Sequence, residues 1–304
     1  MVADMTRDSL SIRHAVTSCL VAILPLIWLC GCGPPRDMSS SCCFEKVTAG
    51  HTHSCAIADD ASVHCWGEDD FHGKTDPPNG AFTDIHLLQR ASCGLRADGT
   101  IDCWGYTNLF DAEVLYGTFS QLAGRCGLHE DGEIRCFDGP SPPSEIQAIS
   151  AIELSNSCAI DDEQAIHCWG AEDTGQTEPP QGEYHGLSST SSVGCALDAS
   201  DEIRCWGSAR STQRPNEHLT LPSPPSGSFE QVSVGGHHIC AVTTTGDLDC
   251  WALHDEEETR YGQADPPEGL FMQVSAGSRH SCAVDTDGRI HCWGYNADGQ
   301  INPP

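Results

Sequence analysis

The sequence predicts an all-β fold, a ring of seven small sheets, and three observations predict it. A cysteine, nine intervening residues and a second cysteine recur seven times, and six of the seven pairs are followed directly by tryptophan. Each such unit reads as strand, tight turn, strand. The units repeat at intervals of 32 to 45 residues, the range of propeller blades and other repeat arrays.

The pairs are Cys55/Cys65, Cys93/Cys103, Cys126/Cys136, Cys158/Cys168, Cys195/Cys205, Cys240/Cys250 and Cys282/Cys292. In the last unit a three-residue loop places Gly288 where φ must be positive. Counting outwards pairs Asp285 with Arg289, Val284 with Ile290, Ala283 with His291 and Cys282 with Cys292. The cysteines then stand opposite each other at a separation that a disulfide spans. Free thiols are the second reading, and metal ligation the third, since a nine-residue gap matches none of the close-spaced zinc patterns. Gly99, Gly132 and Gly246 hold the same turn position. Ala61, Gln164 and Asp201 replace glycine elsewhere, and turns of a different type are expected there.

Alternation puts Cys282, Val284, Ile290 and Cys292 on one face and Ala283, His291 and Trp293 on the other. Both faces carry bulk that needs cover, as in a sheet sandwiched between two similar sheets in a propeller. Each unit opens with a short strand: Phe44/Val47, Phe82/Ile85, Phe119/Leu122, Ile146/Ile149, Tyr184/Leu187, Phe229/Val232 and Phe271/Val274. Trp66, Trp104, Trp169, Trp206, Trp251 and Trp293, with Phe137 in the third unit, are read as packing between sheets rather than as a ligand-stacking ring. Pro77-Pro78, Pro179-Pro180, Pro266-Pro267 and Pro303-Pro304 mark sheet edges or crossings to the next unit. Seven whole units, beginning at Phe44 and ending at Pro304, suit a closed ring.

Residues 1–32 read as an export signal: Arg7 and Arg13 precede an apolar run, Ala15 to Leu29, that Pro25 interrupts. Leu29-Cys30-Gly31-Cys32 resembles the bacterial lipoprotein processing box, which would make Cys32 the lipidated first residue. An ordinary secretory signal and a stop-transfer anchor are the alternatives. All three deliver the chain to an oxidising compartment, a bacterial cell envelope or beyond it, where disulfides persist. Residues 33–43 form a polar linker with Cys42 and Cys43 outside the repeat pairs, and the propeller occupies 44–304. The formal charge of −29, with 15 Lys and Arg scattered, excludes nucleic acid as a partner. Acidic runs such as Glu68-Asp69-Asp70 and Asp255 to Glu258 read as solvated loops, since their spacing does not repeat as calcium ligands would.

The phrase from Val274 to Gln300, and its counterpart from Val47 to Gly73, resembles the repeat of regulator of chromosome condensation proteins, and the resemblance spans about 44–304. It implies a seven-bladed β-propeller, here with one disulfide per blade, that presents loops to protein partners. The nuclear founder of the family exchanges guanine nucleotide on a small GTPase; an exported acidic lipoprotein meets no such partner, and that activity is rejected. Secreted bacterial relatives include inhibitors of β-lactamase, which bind a protein through one rim. No site residue carries over.

A catalytic constellation would have to break the repeat, and none does, so no catalytic residue, metal or cofactor is assigned. His53, His238 and His280 lie two before a repeat cysteine, and His64, His167 and His291 one before its partner; recurrence marks them as structural hydrogen-bonders. His51 and His237 extend a histidine-rich patch near ring closure, a weak zinc hypothesis. The expectation is a monomeric, non-enzymatic cell-envelope binding module. It would be held to the membrane by lipid and grip an unidentified protein through long loops in the second, fifth and sixth units. Three alternatives stand beside it: a secreted enzyme inhibitor, an envelope enzyme with its site on the rim, or a purely structural surface protein.

Overall fold

The structure, a computed structural model, describes residues 43–304 outside positions 70, 109–115, 138–141, 143–148, 154–157, 171, 211–217 and 254–259. The export signal at 1–32, lipidation at Cys32, Cys42 and most of the linker fall outside the described residues. Cys43 is disulfide-bonded.

Seven three-stranded antiparallel sheets follow one another along the chain, each made of one contiguous segment. Blade 1 is β1 (Phe44–Ala49), β2 (His53–Ala58) and β3 (Val63–Gly67); blade 2 is β4 (Phe82–Leu87), β5 (Ala91–Arg96) and β6 (Ile101–Gly105). Blade 3 comprises β7 (Phe119–Ala123), β8 (Cys126–His129) and β9 (Ile134–Cys136), and blade 4 β10 (Ile149–Glu153), β11 (Cys158–Asp161) and β12 (Ile166–Cys168). Blade 5 is β13 (Tyr184–Ser189), β14 (Val193–Asp198) and β15 (Ile203–Gly207), followed by a two-stranded outgrowth, β16 (Ala209–Arg210) and β17 (His218–Leu219). Blade 6 is β18 (Phe229–Val234), β19 (His238–Thr243) and β20 (Leu248–Ala252), and blade 7 is β21 (Phe271–Ala276), β22 (His280–Asp285) and β23 (Ile290–Gly294). The fold is an all-β, seven-bladed propeller.

The hairpin register is the one read from the sequence. Cys282 faces Cys292, Ala283 faces His291 and Val284 faces Ile290. Seven bridges form within blades: Cys55–Cys65, Cys93–Cys103, Cys126–Cys136, Cys158–Cys168, Cys195–Cys205, Cys240–Cys250 and Cys282–Cys292, at Cα separations of 4.0 to 4.1 Å. Free thiols and metal ligation are thereby set aside for these pairs. The two members of a bridge are not equally covered. The first cysteine, on the middle strand, is buried in every blade, whereas Cys65, Cys103, Cys136, Cys168, Cys205, Cys250 and Cys292 are half-buried. The second cysteine lies on the third strand, which has a strand neighbour on one side only.

In blade 4 the opening phrase is displaced from its expected place. Ile149 pairs with Asp161 as Phe119 pairs with His129, so the phrase is Ile149/Ile152; Ile146 lies outside the described residues.

The turns at Ala61, Gln164 and Asp201 do not differ in type. Their φ values are 64°, 64° and 60°, beside 77° for Gly288, and each donates its N–H three residues back as Gly288 does to Asp285. Two constraints outweigh the strain of a side chain in the left-handed region. The Asp161 carboxylate accepts the N–H groups of Glu163 and Ala165 within the turn. The turn residue's carbonyl also accepts the first N–H of the next blade, as Gln164 does from Tyr184 at 2.8 Å and Gly288 from Phe44 at 2.8 Å.

Each junction between blades encloses its own apolar core. The disulfide face of one blade meets the aromatic face of the next: Cys55, Ile57 and Val63 of blade 1 pack with Trp104 and Phe82 of blade 2. Cys282 and Val284 of blade 7 pack with Trp66 and Val47 of blade 1, which closes the ring. Among the described residues no strand is exchanged to close it. Gly94 belongs to the same logic, since a Cβ there would lie 2.5 Å from the Phe82 ring. The indoles are therefore packing residues, and each sits at a fixed depth. Trp66, Trp104, Trp206 and Trp293 donate their ring N–H to the carbonyls of Gln300, Lys74, Gln176 and Gln263, at 2.8 to 2.9 Å.

Two stability measurements check this packing. Trp104→Ala should cost about 3–5 kcal/mol in urea unfolding, and Trp104→Phe, which keeps most of the packing and loses one hydrogen bond, distinctly less. Gln164→Gly should raise stability by about 1 kcal/mol by relieving the left-handed side chain; a lowered melting temperature would contradict the shared turn geometry.

Candidate interaction face

Strand direction gives the ring two unlike faces. Both pairings within a blade are antiparallel, so the turn between the second and third strands lies on one face. The turn between the first and second strands, and the start of every connector, lie on the other. On the hairpin face all seven blades show the same three-residue turn. The connectors that start on the loop face span 68–81, 106–118, 137–148, 169–183, 208–228 and 253–270 in the sequence. Length is concentrated in the fifth and sixth; the second unit's connector, expected to be long, is no longer than the first. The Pro-Pro pairs lie outside every strand.

The repeat cysteines belong to the interior rather than to either face. Cys103 packs into the core between blades 2 and 3, Cys205 into that between blades 5 and 6, and Cys250 into that between blades 6 and 7. Their bridges hold the sheets that carry the loops and offer nothing to a ligand.

Around the inner edge, the first strand of each blade would leave its outer backbone groups open, a hazard in any sheet. Side chains of the preceding blade close them. Gln273 accepts the Val47 N–H and donates to the Val47 carbonyl, both at 2.9 Å. Ser275 accepts the Ala49 N–H, and Gln231 and Ser233 do the same for Val274 and Ala276. Between blades 1 and 2 the contact is ionic, Lys46 with Asp84. Burial alone would raise the Asp84 carboxyl, but the hydrogen bonds and charges of His86 and Lys46 hold it well below the usual range.

The histidine rows bind neighbouring blades and turns. His53, His238 and His280 are fully buried, and their Nε2 atoms meet Ser92, Ser281 and Ser54 of the following blade at 2.9, 2.6 and 2.8 Å. Each serine donates its own hydroxyl to a connector carbonyl, of Lys74, Gln263 or Gln300. Its oxygen is left to accept, so the imidazole carries a proton on Nε2. Burial pushes His238 down to about 3, helped by the charges of His280 and His237, and His280 down to about 4, helped by His51. In the second row, His167 and His291 meet Asp161 and Asp285 of their own turns at 2.6 and 2.8 Å, and His64 meets Ser62. Among the described residues no three His, Cys, Asp or Glu side chains gather as a metal site.

The loop face also holds a set of side chains that departs from the repeat. Tyr106 N–H donates to the Arg90 carbonyl, and Tyr295 N–H to the Arg279 carbonyl, both at 2.9 Å. That backbone bond places an arginine beside a tyrosine in blades 2 and 7, where blade 1 has Thr52 and Glu68. The Arg90 guanidinium lies 4.4 Å from the Tyr106 ring centre and 3.2 Å from His72 Nε2. Arg279 lies 5.8 Å from Tyr261, which packs edge-on against Tyr295 at 4.7 Å. Beside His72, Phe71 is fully exposed at φ 64°. The sequence carries the signal: an arginine three before the first cysteine of a unit, with a tyrosine three after the second.

These features define a disulfide-stapled, seven-bladed β-propeller whose irregularities collect on one face. Residues 44–73 and 273–300 match the family model described as Regulator of chromosome condensation (RCC1) repeat. No curated protein matches the sequence. The ectodomain of the receptor kinase CR4 from Physcomitrella patens is similar at TM-score 0.63 and 18% identity, over 83% of this chain and 73% of that one. The C-terminal domain of gp131 from bacteriophage phiKZ is similar at TM-score 0.54 and 12% identity, over 85% of this chain and 94% of that one. Yeast RCC1 (Prp20), in a structure with Kap60, has TM-score 0.44 and 17% identity, over 86% and 71% of the two chains. The first two likenesses describe the fold.

Buried His238 and His280 set an acid limit. Their folded-state pKa values lie below the unfolded value, so the unfolded chain binds the protons first. Stability is full above about pH 6.5 and should fall as pH drops toward about 4 and 3. Calorimetry from pH 7 to 4 should show a falling melting temperature. His280→Asn, less stable at pH 7, should fall less steeply; an equal slope would remove His280 from the account.

Proposed function

We propose that this chain is a non-enzymatic binding module of the bacterial cell envelope that holds a protein partner against its loop face. In this reading residues 1–32 are a lipoprotein-type signal, Cys32 carries the lipid, 33–43 is the linker, and the 44–304 propeller acts as a monomer. The observation that carries the proposal is the contrast between the faces. Seven hairpins keep one turn geometry on one side, whereas the long fifth and sixth connectors start, and the Arg-Tyr departures from the repeat lie, on the other. Rigid scaffolds place binding residues on such loops. Seven disulfides belong to an oxidising compartment, which agrees with export.

Two experiments test the reading. Cys32→Ala should move the protein from the membrane to the soluble fraction and remove the lipid increment from its intact mass; unchanged fractionation would discard the anchor. Replacing 211–217 by a short glycine-serine link should weaken capture of the partner from envelope extract. A hairpin-face substitution such as Asp287→Asn should leave capture intact, and the opposite pattern would assign binding to the wrong face.

A further inference from the structure

We infer that the hairpin face is the membrane side of the anchored propeller and the loop face its aqueous side, so that the partner is a protein approaching from solution rather than one embedded in the same leaflet. This deepens the proposed function and rests on its lipid anchor.

The chain enters the ring on the hairpin side. The Phe44 N–H donates to the Gly288 carbonyl, and the Cys43 carbonyl accepts the Asp59 N–H, both at 2.8 Å. Gly288 belongs to the hairpin turn of blade 7 and Asp59 to that of blade 1, so Cys43 is seated between two hairpin turns. The fit is close, since a Cβ on Gly288 would lie 3.2 Å from the Cβ of Cys43. Thr118, Ser228 and Leu270 hold the same seat before blades 3, 6 and 7, where their carbonyls accept from Glu130, Thr244 and Thr286. Connectors from a preceding blade lead to those three. The linker leads to Cys43, so a lipid on Cys32 pulls on the hairpin face.

The linker is too short to turn the ring over. Ten residues separate Cys32 from Cys43, and ten residues reach about 35 Å at most. Because β1 is the inner strand of its blade, a path to the loop side first passes outwards across β2 and β3, about 10 Å. It then climbs the length of a six-residue strand, about 20 Å more. Almost the whole reach is used before the connectors, which start at the far ends of the strands, are cleared.

Charge sets the distance from the membrane. Each of the seven hairpin turns carries an exposed carboxylate, from Asp60 in blade 1 to Asp287 in blade 7, and carboxylates there outnumber Arg96, Arg135, Arg204 and Arg289. An anionic lipid surface repels such a face over about a Debye length, roughly 10 Å at 0.1 M salt. The tethered propeller therefore stands off the lipid with its hairpins towards it, and the opposite face stays open to a partner of protein size.

Full-length lipidated protein, added to preformed phosphatidylcholine vesicles that contain an acceptor-labelled lipid, tests this. A fluorescent residue is placed at exposed Thr244, in the hairpin turn of blade 6, or at exposed Ala297, three residues beyond β23 on the loop side. With about 20 Å of strand between the two levels, energy transfer to the lipid from position 244 should exceed that from 297 severalfold. Streptavidin, standing in for a protein partner, should bind biotin at 297 as fast on vesicles as in detergent, and biotin at 244 more slowly on vesicles. Phosphatidylglycerol at low salt should lower the transfer from 244, and added salt should restore it; a rise instead would overturn the standoff. Circular dichroism establishes that each labelled protein is folded. Equal transfer from the two positions, or more from 297, in vesicle-bound protein overturns the orientation and leaves the anchor in place. Cys32→Ala should stay off the vesicles, and if the wild-type protein stays off as well, the anchor and the orientation fall together.

Discussion

The contact of one blade's disulfide with the next blade's aromatic ring is the interaction on which the rest of the molecule depends. A three-stranded sheet with a three-residue turn is marginal alone, and here neither of its faces is a complete core. The cystine and its aliphatic neighbours form a flat apolar wall, and the adjoining indole or phenyl ring covers it. Seven such cores, one per junction, replace a single central one. Burying an indole would strand its N–H, and for Trp66, Trp104, Trp206 and Trp293 a connector carbonyl removes that cost. In those four blades the hydrogen bond also ties the preceding connector to the blade, so packing and chain path are fixed together.

The repeat makes the local structure legible in the sequence. A constant nine-residue gap settles the hairpin register, because only one pairing brings the cysteines opposite, and it places Gly288 in the left-handed position. The gap does not say which cysteine is better covered. Cys103, Cys205 and Cys250 stay half-buried because each sits on the third strand, and strand order is a property of the sheet rather than of the spacing. Composition misleads where the deciding contact belongs to another blade. Ala61, Gln164 and Asp201 look like poor left-handed residues, yet Gln164 must aim its carbonyl at Tyr184 of the next sheet. The opening phrase of blade 4 sits three residues from its expected place because its isoleucines recur at a spacing that fits two frames. Register against Cys158 decides between them.

The loop face is harder to read for a different reason. Arg90 and Tyr106 stand sixteen residues apart in the sequence and become neighbours only through the bond that joins the start of a blade's second strand to the end of its third. His280 and Ser54, from opposite ends of the repeat array, likewise meet only when the ring closes. A search for motifs along the chain passes over both. Comparing equivalent positions from blade to blade finds the first, since arginine and tyrosine recur together in just two units.

The fold thus separates two tasks. The interior repeats, with histidine-serine and glutamine-backbone contacts joining blades, and the hairpin side preserves one turn seven times. The loop side is free to vary because the cystines hold each blade without its help. A digest of the unreduced protein, with the linked peptides sequenced by mass spectrometry, tests this most directly. The account predicts that every bridge among the fourteen repeat cysteines joins two residues of one unit, such as Cys55 to Cys65. Bridges between units, or free thiols at these positions in protein taken from its native compartment, would contradict it.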